Sequence, residues 1–243
     1  MKSLHNCINK KNIFDDSNFI YMQPYITTLI KEFKLNANNK IALEQSAYMR
    51  NQFSFFGIKT TERRALQQAF LVKEMLPDKK EIEEIISTLW KQPQRECLYF
   101  AQELAFKYTN QIEKSDIELY EFMVVNQSWW DTVDFIATKL MGAYFKKFPE
   151  QKAIYVNKWL KSGNIWLQRC ALLFQLKYKK EIDTTLLSNI INALLGSKEF
   201  FINKAIGWVL REYSRTNPEW VTTFAENTVL SSLSKREALR LMK

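Results

Sequence analysis

Signals that start and stop a helix recur at short intervals along this chain of 243 residues, and they leave little room for other secondary structure. Pro24 suits the first turn of a helix running to about Lys34. A second helix is expected over roughly Ala42 to Met49, closed by a turn from Asn51 to Gly57. Thr60 then caps a helix that stops near Leu76-Pro77. Asp78 with Glu81, Ser115 with Glu118 and Ser234 with Glu237 have capping-box spacing. Pro93, Pro149 and Pro218 fall where a first helical turn tolerates proline, and Gly163 and Gly196 sit just beyond apolar helical patterns. No alternating strand pattern interrupts these segments, and the 5 Gly and 5 Pro are few for a chain built on tight β-turns. The expected fold class is all-α.

Helix-plus-turn units recur at roughly 35 to 40 residues, which favours a stack of helix pairs over a closed bundle, although the units share little sequence. Residues 1–16, rich in Asn and Lys and without apolar periodicity, read as a flexible leader. No Pro/Gly/Ser-rich linker divides the remainder, so 17–243 is expected to be a single domain. Cys7, Cys97 and Cys170 are odd in number and in no CxxC pair, as buried or incidental thiols of a reducing compartment would be. The single His5 lies in the leader, which argues against a His-bearing triad, a His-rich metal site or a zinc deaminase centre. No metal and no cofactor are expected. With no membrane-length apolar run and no signal-peptide core, the expected location is cytoplasmic.

Lys and Arg number 35 against 26 Asp and Glu, a net charge of +9, which points to a polyanionic partner: nucleic acid first, acidic membrane second. Three stretches could meet such a partner. In Ser128-Trp129-Trp130-Asp131-Thr132-Val133-Asp134, Trp130 and Asp134 share one helical face, an indole beside an anion, as a flat cationic ligand would require. Asp131 reads as a first-turn acid favoured by the helix dipole. In Phe200 to Arg215, the residues Lys204, Trp208, Arg211 and Arg215 form one stripe opposite the apolar Ile202, Ala205, Ile206, Val209 and Leu210. That stripe is either a phosphate-tracking surface with a stacking indole or a solvated basic face. In Trp166 to Phe174, Arg169 lies in an apolar helix and needs a partner, either an internal carboxylate such as Asp134 or an external phosphate. Lys177, two turns on, would extend a phosphate track. A tryptophan at a helix start is also an ordinary core residue, and Tyr48 alone is an ordinary interface tyrosine.

Taken together, these stretches resemble the AlkD family of DNA alkylation repair glycosylases. The similarity runs through Tyr48-Met49-Arg50-Asn51-Gln52-Phe53 and Phe56-Gly57-Ile58-Lys59-Thr60, then Trp129 to Asp134. It continues through Trp166-Leu167-Gln168-Arg169, Phe174-Gln175-Leu176-Lys177-Tyr178, Phe200 to Trp208 and Leu210-Arg211-Glu212-Tyr213. The resemblance implies a curved α-solenoid of HEAT-like antiparallel helix pairs whose basic cleft holds duplex DNA. It implies a catalytic cluster of Asp134, Trp130, Trp208, Arg169 and Tyr48, with Arg169 on a backbone phosphate. Lys177, Lys204, Arg211, Arg215, Thr60 and Arg64 are the further expected DNA contacts.

The implied activity is a monofunctional glycosylase that excises N3- and N7-alkylated purines from duplex DNA, leaving an abasic site. Such a protein would act as a monomer, associated with the nucleoid and not with membrane. Asp134 would stabilise the deoxyribose cation, and the two indoles would favour it by cation–π contact. The alternative is a non-catalytic helical-repeat protein that binds branched or damaged DNA.

Overall fold

The computed structural model describes residues 24–242; the leader, with Cys7 and His5, lies outside them. The helices are α1 (Pro24–Leu35), α2 (Asn39–Tyr48), α3 (Thr60–Gln68), α4 (Ile82–Trp90), α5 (Arg95–Lys107), α6 (Asp116–Val125) and α7 (Trp130–Phe135). They continue with α8 (Gly142–Lys147), α9 (Lys152–Lys161), α10 (Ile165–Leu173), α11 (Thr184–Ala193), α12 (Phe200–Ser214), α13 (Pro218–Asn227) and α14 (Ser232–Ala238). A π-helical turn over Ile136–Met141 joins α7 to α8. No strand forms among the described residues beyond one isolated bridge between Ser54 and Gln94.

Two layers of helices are stacked. Helices α3, α5, α7, α10 and α12 begin at Thr60, Arg95, Trp130, Ile165 and Phe200, in steps of 35 residues, and pack side by side as one layer. Helices α4, α6, α9 and α11 form the other, and the core lies between the two. The same step separates the partners of many polar links between successive units. Lys146 reaches Glu181 at 2.5 Å and Lys177 reaches Glu212 at 2.7 Å, each 35 positions apart, while the Tyr178 hydroxyl donates to the Gly142 carbonyl 36 positions back at 2.6 Å. The period is therefore a contact rule more than a sequence rule. Each unit supplies a partner for the next, and the identities of the partners are free to vary.

The capping box at Asp78 and Glu81 forms as expected, and Gly163 and Gly196 take positive φ after α9 and α11. Other boundaries differ. Lys59, extended at φ −66°, is the N-cap of α3, which places Thr60 inside the helix, and α3 ends at Gln68, well before Leu76-Pro77. Pro93 precedes the N-cap residue Gln94 instead of entering the first turn. Ser115 caps α6 without a side-chain bond. At the last helix the cap is Ser231, whose hydroxyl accepts from the Ser234 amide; Ser234 and Glu237 are interior positions. No described helix is long and apolar enough to cross a membrane.

Candidate nucleic-acid interface and active site

The 35-residue step puts residues at equal depth in neighbouring helices next to one another. The fifth positions of α3, α5, α7, α10 and α12 are Arg64, Tyr99, Asp134, Arg169 and Lys204. Asp134 and Arg169 are thus lateral neighbours, and they meet in a two-point contact. Arg169 Nε donates to Asp134 Oδ1 at 2.7 Å and Nη2 donates to Oδ2 at 2.9 Å. The third nitrogen, Nη1, donates to the Phe201 carbonyl on α12 at 2.6 Å. The Arg169 side chain is 4% exposed and that of Asp134 18%. Of the two partners left open for Arg169, the internal carboxylate holds it. Three of the five N–H donors of Arg169 are taken by these protein acceptors, one on each nitrogen.

The Asp134 side chain keeps that 18% in solvent, and each oxygen has a lone pair beyond the one that Arg169 uses. Burial pushes its pKa above the ordinary value. The hydrogen bonds and charge of Arg169 oppose that rise, and the charge of Asp131 adds to it. Thr138 Oγ1 in the π-helical turn donates to the Asp134 carbonyl at 2.7 Å, so the carboxylate stands at the point where α-helical hydrogen bonding gives way.

Trp130 opens α7 one turn before Asp134, half-buried, and the Tyr48 ring meets it edge-on with centroids 6.3 Å apart. Tyr48 is 72% exposed, a wall of the surface and not part of the core. Trp208 lies one turn beyond Lys204 on α12, half-buried; among the described residues its indole has no ring or hydrogen-bond partner. Neither indole is sealed in the core. The step between units carries α12 alongside α10, and α10 alongside α7, so Trp130, Asp134, Arg169 and Trp208 come from three adjacent helices of one layer.

Asp131 is more than a first-turn acid. It receives Arg95 Nε at 2.9 Å, Arg95 Nη2 at 2.6 Å and the Tyr99 hydroxyl at 2.6 Å. Arg95 is fully buried and also donates to the Gln127 carbonyl and the Thr132 hydroxyl. The chain therefore carries two Arg–Asp clamps in succession, Arg95 with Asp131 and Arg169 with Asp134.

Several of the expected basic contacts are engaged with acids. Lys204 and Arg211 converge on Glu237 of α14 at 2.8 and 2.5 Å, and these cations hold the Glu237 carboxyl below its usual range. Lys177 and Arg215 flank Glu212. The stripe on α12 is thus part ion-pair seam, not a free phosphate track. Arg64, whose side chain is 61% exposed, Lys177 at 55% and Arg215 at 63% keep much of their surface in solvent, and Thr60 is exposed at the head of α3.

A cavity of about 530 Å³ opens beside Trp130, lined by Tyr48, Thr60, Arg64, Tyr99 and Phe135 among others. A wider hollow of about 840 Å³ near Pro218 and Met242 includes only Arg215 of the candidate residues.

A family model described as DNA alkylation repair enzyme matches residues 29–242. A solved structure described as a predicted DNA alkylation repair enzyme from Enterococcus faecalis is similar, with 32% identity and a TM-score of 0.79, covering 85% of this chain and 96% of that one. No curated protein matches. The family model spans nearly all of the described residues, and the chain belongs to the DNA alkylation repair enzyme family.

Proposed function

We propose that this member of a DNA repair family is a monofunctional glycosylase that hydrolyses the N-glycosidic bond of purines alkylated at N3 or N7 in duplex DNA. The observation that carries the reading is the Asp134 carboxylate, oriented by two hydrogen bonds from Arg169 on a side chain that is 18% exposed. An alkylated purine is already cationic. As its bond to C1′ breaks, the electron pair passes to the base, which leaves neutral, and positive charge develops on the deoxyribose. A carboxylate fixed in advance stabilises that charge without reorganising. Water then adds to C1′ and gives up a proton, with Asp134 as the nearest acceptor.

Arg169 is a positioning residue in this scheme. It fixes the carboxylate through Nε and Nη2 while Nη1 ties the pair to α12. Trp130 and Trp208 supply indole faces, worth about 0.5–2 kcal/mol each against a cation. Register on the duplex then falls to the exposed Arg64, Lys177 and Arg215, with Thr60 as a neutral phosphate donor. Lys204 and Arg211 contribute through the field of the surface.

The test is free-base release from methylated duplex DNA, read by chromatography, with the intact protein and with Asp134→Asn. The expected result is release by the first and a much slower rate with near-equal DNA binding by the second. Equal rates from the two proteins would overturn the assignment. A protein that shifts branched DNA and releases no base would be the non-catalytic binder.

A further inference from the structure

Helix α7 is six residues long and passes straight into the π-helical turn, and its N-cap residue, Trp129, makes no side-chain capping bond. A helix so short and uncapped has little stability of its own, so its neighbours decide where its side chains stand. Arg169 of α10 holds it from one side, through Asp134. Arg95, the first residue of α5, holds it from the other. Two of the hydrogen bonds from Arg95 go to the Asp131 carboxylate, one to the Thr132 hydroxyl at 2.9 Å and one to the Gln127 carbonyl at 2.7 Å. These three acceptors flank Trp130 in the chain. Gln127 stands in the left-handed region at φ +48°, a conformation that a residue with a side chain keeps only when its surroundings hold it there.

Stability alone gives no reason for this cluster. An apolar trio of like volume would join α5 to α7 without taking an ion pair out of water. What the charged trio adds is direction. The Tyr99 hydroxyl donates to Asp131 Oδ2 at 2.6 Å; burial first, and then the Asp131 charge, raise its pKa, so it stays a donor. The Phe53 ring centroid lies 4.0 Å from the Arg95 guanidinium carbon. Trp130 has little else to fix it. Among the described residues Tyr48 is its one ring contact, and Tyr48 is itself 72% exposed. The preceding Trp129, by contrast, packs against the rings of Phe53, Trp166 and Phe201.

We infer that Arg95, Asp131 and Tyr99 are positioning residues that set the Trp130 indole at a fixed offset from the Asp134 carboxylate. The two clamps then have separate tasks on one short helix: Arg169 fixes the anion, and Arg95 fixes the aromatic face. What the indole does rests on the glycosylase reading; what holds it rests on the bonds alone. An indole free to swing loses its aim on the sugar cation, and the loss falls on the chemical step more than on duplex affinity.

The experiment is a double-mutant cycle on single-turnover base release from methylated duplex DNA, run on the plateau above the acid limb, where Asp134 is ionised in every variant. Asp131→Asn and Trp130→Ala are each expected to slow release about tenfold, with the half-saturating protein concentration nearly unchanged. The double variant should be no slower than Trp130→Ala alone. If Asp131→Asn does not fold, Tyr99→Phe takes its place, with a loss of about threefold that vanishes in the Trp130→Ala background. The full chain labelled with fluorotryptophan gives a second reading. The fluorine resonance of Trp130, assigned by its absence from Trp130→Phe, should shift in either clamp variant while that of the buried Trp159 stays. Losses that multiply in the double variant overturn the inference, because a charge acting directly or a general loosening of the fold would multiply. An unmoved Trp130 resonance overturns it too. If the wild type releases no base, the glycosylase reading falls, and a moved resonance still supports the clamp as what sets the indole.

Discussion

Asp134 divides its two oxygens between Arg169 Nε and Nη2, and this sets the acid–base behaviour expected of the site. Its pKa is raised, with burial as the leading cause, so the ionised form needed against a sugar cation is lost as pH falls through a value above the ordinary carboxylate range. Single-turnover base release should therefore decline on the acid side along a limb that starts higher than an exposed aspartate would give. Replacing Arg169 by Met leaves the carboxylate buried without its cation. That substitution should push the pKa further up, move the acid limb toward neutral pH and cost about 3 kcal/mol of stability. A pH–rate profile and a denaturant titration of the variant check both outcomes, and an unmoved limb would separate Arg169 from the carboxylate. Asp134→Asn, by contrast, should slow release by about 10²–10³ with duplex affinity nearly unchanged, read in single-turnover and binding assays. Asp134 and Trp130 were legible in the sequence because a shared helical face shows in spacing alone. The double use of Asp131 was not, because Arg95 and Tyr99 lie 36 and 32 positions away and only the fold brings them to it.

At the scale of the element, two close approaches explain why the motif stretches read as they do. The turn from Phe56 to Ile58 is held by the buried Glu96, whose carboxylate accepts the amides of Phe56, Gly57 and Ile58 at 3.0, 3.0 and 3.2 Å. Burial pushes the Glu96 carboxyl up, and those amides pull it down. Gly57 has φ +86°, and a Cβ there would stand 2.0 Å from the Asn38 carbonyl oxygen, so α2 and its Tyr48 are seated by this turn. Glu96→Ala would orphan three amides, at about 1–3 kcal/mol for each one left dry. A fall in melting temperature is expected, together with a loss of the Tyr48 contact to Trp130, visible as a change in near-UV circular dichroism. On α12, Gly207 lets α14 approach, since a Cβ there would lie 2.5 Å from the Cβ of Glu237 and 2.9 Å from the Ser234 oxygen. Gly207→Ala should displace α14, cost about 1–3 kcal/mol and free Lys204 and Arg211 from Glu237. Unchanged melting would refute that packing argument. The spacing of Ser234 and Glu237 suggested a cap because sequence shows local offsets; Glu237 instead answers Lys204 and Arg211, 33 and 26 positions back.

Across the whole molecule, the 35-residue step decides which charges face a polyanion and which hold the stack together. The sequence legibly announced an all-α stack with a net charge of +9, because helix boundaries and composition are local properties. It could not announce how the charge is spent. Glu237 meets Lys204 and Glu212 meets Lys177 from one unit away, where no spacing rule within a helix finds them, whereas Arg215 meets Glu212 at i,i+3 within α12. Exposure separates the two classes. Arg64 and Lys177 expose more than half of their side chains, and their ion pairs are of the surface kind that exchanges readily with other anions. The Arg211 side chain, 22% exposed, is bound at 2.5 Å to a carboxylate that is itself only 8% exposed. Arg64→Ala and Lys177→Ala should each reduce the slope of log affinity for duplex DNA against log salt by about 0.9, with little change in melting. Arg211→Ala should do the reverse, lowering the melting temperature by leaving Glu237 short of a partner while the salt slope hardly moves. Filter-binding titrations across a range of salt, paired with thermal melts of the same proteins, separate the two. If Arg211→Ala lowers the slope as much as Lys177→Ala does, the ion-pair seam opens to receive DNA, and α14 then moves when the duplex binds.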